Sequence, residues 1–377
     1  MEAVKLCEIL NRVCGSNFFT GVPDSQLKAL CNYLTDKFGI SEKHIIAANE
    51  GNCVAIAAGH YLATGEVPVV YMQNSGQGNA VNPISSLLND NVYGIPCLFI
   101  VGWRGEPGVH DEPQHVFQGK ITVKLMQDLD IDSFILDKNS TDEEVESFLN
   151  DARIKFAEGK SVAIIVKKGA LTYDGKVNYS NEYHMKREEI IRHIVEYSGE
   201  DIIVSTTGKA SRELFEIREA NGTSHKYDFL TVGSMGHASS IALGIAMSKT
   251  SRRVWCVDGD GAVLMHMGAM AVIGNRALEN FIHIVINNCS HETVGGMPTV
   301  MGTVDICGVA KACGYKNVYS VKTFEELDEA LTEVANGSGL SLIEAKCAIG
   351  ARENLGRPTT TAKQNKENFM QYLGEVK

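Results

Sequence analysis

Short apolar runs rich in β-branched residues alternate with helix-length segments along the whole chain, and this alternation restricts the fold more than any other feature. In the first half the runs cover 67–72, 97–102, 133–136 and 162–166, and helices are expected over 25–37, 51–63, 83–90 and 142–157. In the second half the runs cover 202–205, 229–232, 254–257, 282–286, 317–321 and 340–345, with helices expected over 210–220, 239–249, 262–276 and 324–335. Strands buried on both faces read as continuous apolar runs, and helical crossovers return the chain to a parallel neighbour. The expected class is α/β, with parallel sheets covered by helices on both faces. The stretch TYDGKVNYSNEY, 172–183, is polar, carries an Asp174-Gly175 turn signal and lacks periodicity. It separates two expected domains, 1–171 and 184–377, each long enough for one compact α/β unit.

The composition fits that reading, with 44% apolar and 21% charged residues in 377. A formal net charge of −11 removes the electrostatic footprint of a nucleic-acid binder. The ten cysteines form no CxxC pair and no zinc spacing with histidine, and most sit among apolar residues as reduced, buried thiols do. The first residues, MEAVKLCEILNRV, suit an amphipathic helix rather than a signal peptide, and no apolar run approaches the ~18 residues of a membrane span. A cytoplasmic protein with neither a nucleic-acid nor a membrane partner is expected.

The chemistry concentrates in VDGDGAVLMHMGAMAVIGNRALENFIHIVINN, 257–288. One apolar run ends in Gly259-Asp260-Gly261 and the next ends in Asn287-Asn288. In open α/β sheets, ligands bind beyond the carboxyl ends of strands. Glycines admit a ligand close to the backbone, and the following helix start offers N–H groups to a phosphate. A carboxylate there repels phosphate unless a divalent cation lies between them. Asp260, an Asn carbonyl and a main-chain carbonyl supply hard oxygen ligands for Mg²⁺. The plainer alternative is an Asp-Gly turn and a helix-capping Asn. Neither a GxGxxG after a strand nor a P-loop is present, which disfavours a nicotinamide oxidoreductase.

GDG followed by NN resembles the diphosphate and magnesium motif of thiamine-diphosphate enzymes. The resemblance implies metal ligation by Asp260, Asn288 and the main-chain carbonyl of Ser290, with Asn287 as the neighbouring alternative to Asn288. It implies cofactor contacts by Gly259, Gly261 and Ala262. In AANEGNCVAIAAGHYLATG it implies that Glu50 shares a proton with the aminopyrimidine N1′, where helix-end stabilisation is the plainer reading. In VGSMGHASSIALGIA it implies Met235 as the wedge that bends the cofactor, and the Gly233 carbonyl as acceptor for its 4′-amino group. The domains then become a pyrimidine-binding domain, 1–171, and a diphosphate-binding domain, 184–377, with no room for the central domain of larger relatives.

The segments GVPDSQLKAL, YMQNSGQGN, VGWRGEPGVHDEPQHVFQG, STTGKASRELFE, HETVGGMPT and LGRPTTT resemble, as a set, the phosphonopyruvate decarboxylase family and the related sulfopyruvate decarboxylases. The expected reaction is decarboxylation of 3-phosphonopyruvate to phosphonoacetaldehyde and CO₂, as in phosphonate biosynthesis. Sulfopyruvate decarboxylation is the alternative. An undivided chain favours the phosphonate reading, because sulfonate enzymes often split the two cofactor domains between subunits. A non-catalytic cofactor-binding protein fits less well, since Glu50, Asp260 and Asn288 are all present. His110 and His115, expected in the loop after the run 97–102, are candidates for proton transfer. Asp24 and Ser25 are either substrate contacts or a helix N-cap. Arg104, Lys120, Lys209, Arg352 and Arg357 are candidates for the phosphonate, with Arg104 and Arg357 favoured by their Gly-containing loops and the planar guanidinium. A homodimer or larger homo-oligomer is expected, with active sites at the subunit interface.

Overall fold

The computed structural model describes residues 1–375, which divide into two compact units, the first covering 1–178 and the second starting at 179, each built on its own six-stranded parallel sheet. The division falls inside the polar stretch 172–183.

In the first unit the chain runs α1 (Ala3–Cys14), β1 (Phe19–Gly21), α2 (Lys28–Phe38), β2 (His44–Ile46), α3 (Glu50–Thr64), β3 (Val69–Gln73), α4 (Gln77–Pro83), β4 (Leu98–Gly102), α5 (Pro113–Asp128), β5 (Asp132–Leu136), α6 (Asp142–Ala157) and β6 (Val162–Val166). The sheet order is β2-β1-β3-β4-β6-β5. Every residue of β4 and β6 is buried, as continuous apolar strands require. Helix α6 starts on a capping box in which Thr141 and Glu144 satisfy each other's backbone N–H groups. Strands β1 and β2 lie outside every expected run. Each has only three residues, too few for a pattern to register. The helix expected over 83–90 instead begins at Gln77 and continues through a π turn, Ile84–Leu88.

The second unit runs α7 (Arg187–Ser198), β7 (Ile202–Ser205), α8 (Lys209–Ala220), β8 (Asp228–Leu230), α9 (Ala238–Ser248), β9 (Val254–Gly259), α10 (Asp260–Met265), α11 (Gly268–Arg276), β10 (Phe281–Asn287), a small hairpin of β11 (Ser290–His291) and β12 (Met297–Pro298), α12 (Ile306–Cys313), β13 (Asn317–Val321), α13 (Phe324–Asn336), β14 (Ser341–Lys346) and α14 (Ala362–Glu375). The sheet order is β13-β14-β10-β9-β7-β8. Alternation along β10 sends Ile282, Ile284 and Ile286 into one core layer, and Phe281 and Val285 into the other. Two apolar layers therefore sandwich the sheet. The single helix expected over 262–276 is two, because His266 leaves helical geometry with ψ 45°.

A fully buried ion pair anchors the edge strand β8. Arg218 on α8 donates from Nε and Nη2 to the Asp228 carboxylate at 3.0 and 2.9 Å. Removing one partner strands a buried charge, whereas replacing both with apolar residues is tolerated. Arg218→Met is expected to lower stability by ~3–5 kcal/mol, and Arg218→Met with Asp228→Leu to recover most of it, as read by urea unfolding.

Candidate active site

Strands β9 and β10 pair in parallel, with Asp258 opposite Val285 and Gly259 opposite Ile286. Their carboxyl ends therefore deliver residues 260 and 288 side by side. Asp260, the first residue of α10, is buried. Its Oδ2 accepts from the Thr299 hydroxyl at 2.6 Å, and the N–H groups of Gly261 and Ser290 also act on its carboxylate. Burial nonetheless dominates and pushes the Asp260 pKa up to about 6, as expected for a carboxylate without a cation. The Ser290 N–H also lies 3.0 Å from Asn288 Oδ1, so Asp260, Asn288 and Ser290 converge on one backbone amide.

The two asparagines have different partners. Asn287 donates to Glu344 on β14 at 2.8 Å and accepts from the Cys289 N–H at 3.0 Å, so one end of its amide ties to the neighbouring strand and the other to the loop. Asn288 donates to Glu292 at 2.9 Å, and its main-chain carbonyl accepts from Asn181 at 2.9 Å. The Ser290 hydroxyl is buried without a partner. Such an orphan, on the residue whose backbone N–H meets Asn288 Oδ1 and the Asp260 carboxylate, suits a hard cation and its oxygen-rich ligand.

The loop after β8 turns sharply, with positive φ at Gly233 (70°), Ser234 (48°) and Gly236 (84°). The Gly233 N–H is held by the Thr207 hydroxyl at 2.9 Å. A Cβ at Gly236 would come within 2.6 Å of the His266 ring and 2.9 Å of the Ala262 carbonyl, so glycine allows this loop to press on α10. Met235 is half-buried, and its tip and the His291 ring both stand 3.2–3.3 Å from where a Gly261 Cβ would sit. Gly261 thus forms the floor of a cradle between Met235 and His291. Burial lowers the His291 pKa to about 4, leaving a neutral ring.

In the first unit, Glu50 opens α3 behind the N-cap Asn49, whose side chain accepts from the Gly51 N–H at 2.7 Å. The Glu50 carboxyl is buried, its pKa is raised by that burial, and it accepts from Asn79 Nδ2 at 2.8 Å. The chain crosses over it at Gly76, where a Cβ would fall 2.4 Å from Glu50 Oε1.

Asp24 caps a turn. Fully buried, it accepts from the Gln26 and Leu27 N–H groups at 3.0 and 3.3 Å and from Gln73 Nε2 at 2.6 Å. It is not the N-cap of α2, which is Leu27; its contacts lie in the turn that precedes the helix. Arg104 is not a bare cation, because it grips Asp111 through Nε (2.8 Å) and Nη2 (2.5 Å), while Nη1 donates to Ser25 at 3.0 Å. Burial raises Asp111, but Arg104 and the Gly105 N–H outweigh it and hold the carboxyl at about 2. Lys209 and Arg352 are likewise paired, Lys209 with Glu292 and Arg352 with Glu188 and Glu216. Lys120 and Arg357 are exposed. His110 lies exposed in the expected loop, but His115 belongs to the first turn of α5. Burial first, and Arg104 second, lower the His115 pKa to about 4, and its Nδ1 is buried without a partner.

Sequence spacing missed several residues. Asn79, Gly76, His291 and Thr299 act across loops, and Glu292 joins Arg187 (2.8 Å), Lys209 (2.5 Å) and Asn288. Cys256, Asp258 and His283 lack zinc spacing, yet they bring one potential ligand atom each within 4.8 Å of one another, fully buried on β9 and β10. Asp258 and His283 approach to 3.5 Å, and burial raises the Cys256 thiol well above its ordinary pKa.

Two family models match the chain: the thiamine pyrophosphate enzyme N-terminal TPP binding domain over residues 5–126, and the C-terminal TPP binding domain over 206–345. The chain belongs to the thiamine pyrophosphate enzymes. It is similar to a phosphonopyruvate decarboxylase of Streptomyces viridochromogenes, at 32% identity over 95% of this chain and 92% of the relative. A phosphonopyruvate decarboxylase of Streptomyces hygroscopicus is 30% identical over 96% and 91%. A sulfopyruvate decarboxylase of Methanosarcina acetivorans is 25% identical over 90% and 89%. This thiamine pyrophosphate enzyme is a decarboxylase, a carboxy-lyase with two cofactor-binding domains. Because that sulfopyruvate enzyme is matched almost end to end, an undivided chain does not favour phosphonate over sulfonate. No helix among the described residues is long and apolar enough to cross a membrane.

The raised Asp260 pKa has a stability consequence of definite sign. A carboxyl that holds its proton more tightly when folded stabilises below the unfolded pKa of 3.8, and that contribution is lost as pH rises through about 6. Asp260→Asn is expected to stabilise the metal-free protein at pH 8 by up to ~3 kcal/mol, with the gain vanishing near pH 4, as read by denaturant unfolding in chelator.

Proposed function

We propose that this enzyme decarboxylates 3-phosphonopyruvate to phosphonoacetaldehyde and CO₂, using thiamine diphosphate and Mg²⁺, as a step of phosphonate biosynthesis. The observation that carries the cofactor reading is the convergence of Asp260, Asn288 and Ser290 at the ends of β9 and β10. The substrate reading rests on the two phosphonopyruvate decarboxylases, which match more of this chain at higher identity than the sulfopyruvate enzyme does.

Thiamine diphosphate, when bound, supplies an electron sink for the carbanion left by CO₂ loss. Asp260, the Asn288 side-chain oxygen and the Ser290 carbonyl would hold Mg²⁺, and the N-terminus of α10 with Gly259, Gly261 and Ala262 would face the diphosphate. Met235 would support the bent cofactor, and the Gly233 carbonyl would accept from the 4′-amino group. Glu50, kept protonatable by burial and held by one amide donor, would hold the proton at N1′. His115, neutral because burial lowers its pKa, can exchange a proton, with His110 near it in sequence. The phosphonate needs cations. Lys120 and Arg357 are exposed, and Arg104 has Nη hydrogens beyond its bonds to Asp111 and Ser25.

We expect phosphonopyruvate to give the highest kcat/KM when phosphonopyruvate, sulfopyruvate and pyruvate are compared by aldehyde release. A preference for sulfopyruvate would replace the substrate, and aldehyde from none of the three would reject the reaction.

The active unit is proposed to be a homodimer with shared sites. Glu50 lies in the first unit, and Asp260 and Asn288 in the second. Each unit exposes large apolar side chains, Leu62 and Phe117 in the first, Met247 and Val272 in the second, as surfaces that meet a partner do. A two-fold arrangement repeats one composite site. Glu50→Gln and Asp260→Ala chains are each expected to lose at least ~100-fold in activity. Co-refolded one to one, they should recover roughly a quarter of wild-type activity, since half the dimers are mixed and each holds one intact site. Verified mixed dimers without activity would rule out sharing.

A further inference from the structure

We infer that Glu292 is a positioning residue that fixes which end of the Asn288 amide faces the metal. The inference rests on the proposed Mg²⁺ site. The oxygen and nitrogen ends of an asparagine amide are nearly the same size, so their hydrogen-bond partners decide the orientation. An ionised carboxylate only accepts. Glu292 Oε2, 2.9 Å from Asn288 Nδ2, therefore requires the NH₂ end and turns Oδ1 away toward the Ser290 N–H and Asp260.

Glu292 is itself fixed in place and in charge. Its Oε1 accepts from Lys209 Nζ at 2.5 Å, and its Oε2 also accepts from Arg187 Nη1 at 2.8 Å. Arg187 is braced by a bidentate pair with Glu213, at 2.7 and 2.8 Å. Both oxygens of Glu292 are thus committed, and it stands behind the ligand without being one. With an ammonium and a guanidinium both donating to it, its carboxylate can serve Asn288 only as an acceptor. The Asn288 main chain is pinned separately by Asn181. One loop, 288–292, therefore carries a metal ligand, a main-chain carbonyl and the group that aims the first.

The plainer role for Glu292 is to neutralise Arg187 and Lys209. The two roles separate because aiming needs an acceptor, whereas neutralising needs a charge. Glu292→Met removes both. Glu292→Gln removes the charge but can leave an oxygen between Arg187 and Asn288. The measurement is Mn²⁺ affinity with saturating thiamine diphosphate, from the electron paramagnetic resonance signal of free Mn²⁺, on variants whose thermal unfolding shows them folded. Glu292→Met is expected to weaken Mn²⁺ binding by ~10–100-fold, the usual effect of losing a residue behind a metal ligand. Glu292→Gln should recover at least half of that loss on a logarithmic scale. Equal losses in both, or no loss in either, overturn the inference.

Asn288→Asp gives a test that does not depend on Glu292→Met folding. It adds a negative metal ligand but sets a carboxylate against Glu292. Mn²⁺ affinity is expected to fall, and to recover in Asn288→Asp/Glu292→Gln, where the new amide can donate. Tighter binding by Asn288→Asp alone overturns the inference. Asp260→Ala serves as the control: if it keeps wild-type Mn²⁺ affinity, the metal-site reading itself fails, and not merely the role of Glu292.

Discussion

The parallel pairing of β9 with β10 is the constraint on which the candidate site depends. It brings two strand ends together and so places the Asp260 carboxylate and the Asn288 loop around the Ser290 amide. A parallel sheet leaves strand-end loops unpaired on one edge, where polar groups can turn toward a ligand. The apolar layers on the two faces of the sheet hold β9 and β10 rigid behind that edge. The site is therefore a property of the sheet's register as much as of the motif residues.

Four buried carboxylates show how partner type, rather than burial alone, sets charge state. Glu50 has an amide donor and a raised pKa. Asp24 and Asp260 have neutral side-chain donors and backbone N–H groups, and both remain raised. Glu292 has two cations and is lowered. Desolvation disfavours the charged form in every case; at Glu292 the contacts with Arg187 and Lys209 reverse it, whereas Asp228 stays raised even against Arg218. The carboxylate next to Asn288 is thus biased toward its ionised form, and Glu50 toward its protonated one.

The parts of this arrangement legible in the sequence were those tied to local pattern. The GDG and NN pairs stand at the ends of apolar runs, and Glu50 stands at a helix start, so strand and helix signals located them. The short strands β1 and β2 were not legible, since three residues carry no periodicity. The break between α10 and α11 was hidden by an apolar stretch that reads as one helix. Asn79, His291 and Glu292 reach their partners through loops and across the β11–β12 hairpin, and the Cys256, Asp258 and His283 cluster forms only when β9 and β10 pair. No spacing rule encodes such meetings. Likewise, sequence offered five cations for a phosphonate, and only the structure reveals that Arg104, Lys209 and Arg352 already hold carboxylates.

The close approach of Gly76 to Glu50 makes the two positions a single evolutionary unit. A Cβ at 76 would occupy the space of the carboxyl group itself, 2.4 Å from Oε1 and 2.5 Å from Cδ. Contacts that short have no relaxed solution while both the loop and the carboxyl stay in place. A lineage that keeps a glutamate at 50 in this pose must keep glycine at 76. A descendant with alanine there has already moved or abandoned the carboxyl, whatever residue its alignment column shows at 50. The smallest side chain in the loop is thus a marker of whether the carboxyl beneath it still sits in this pose.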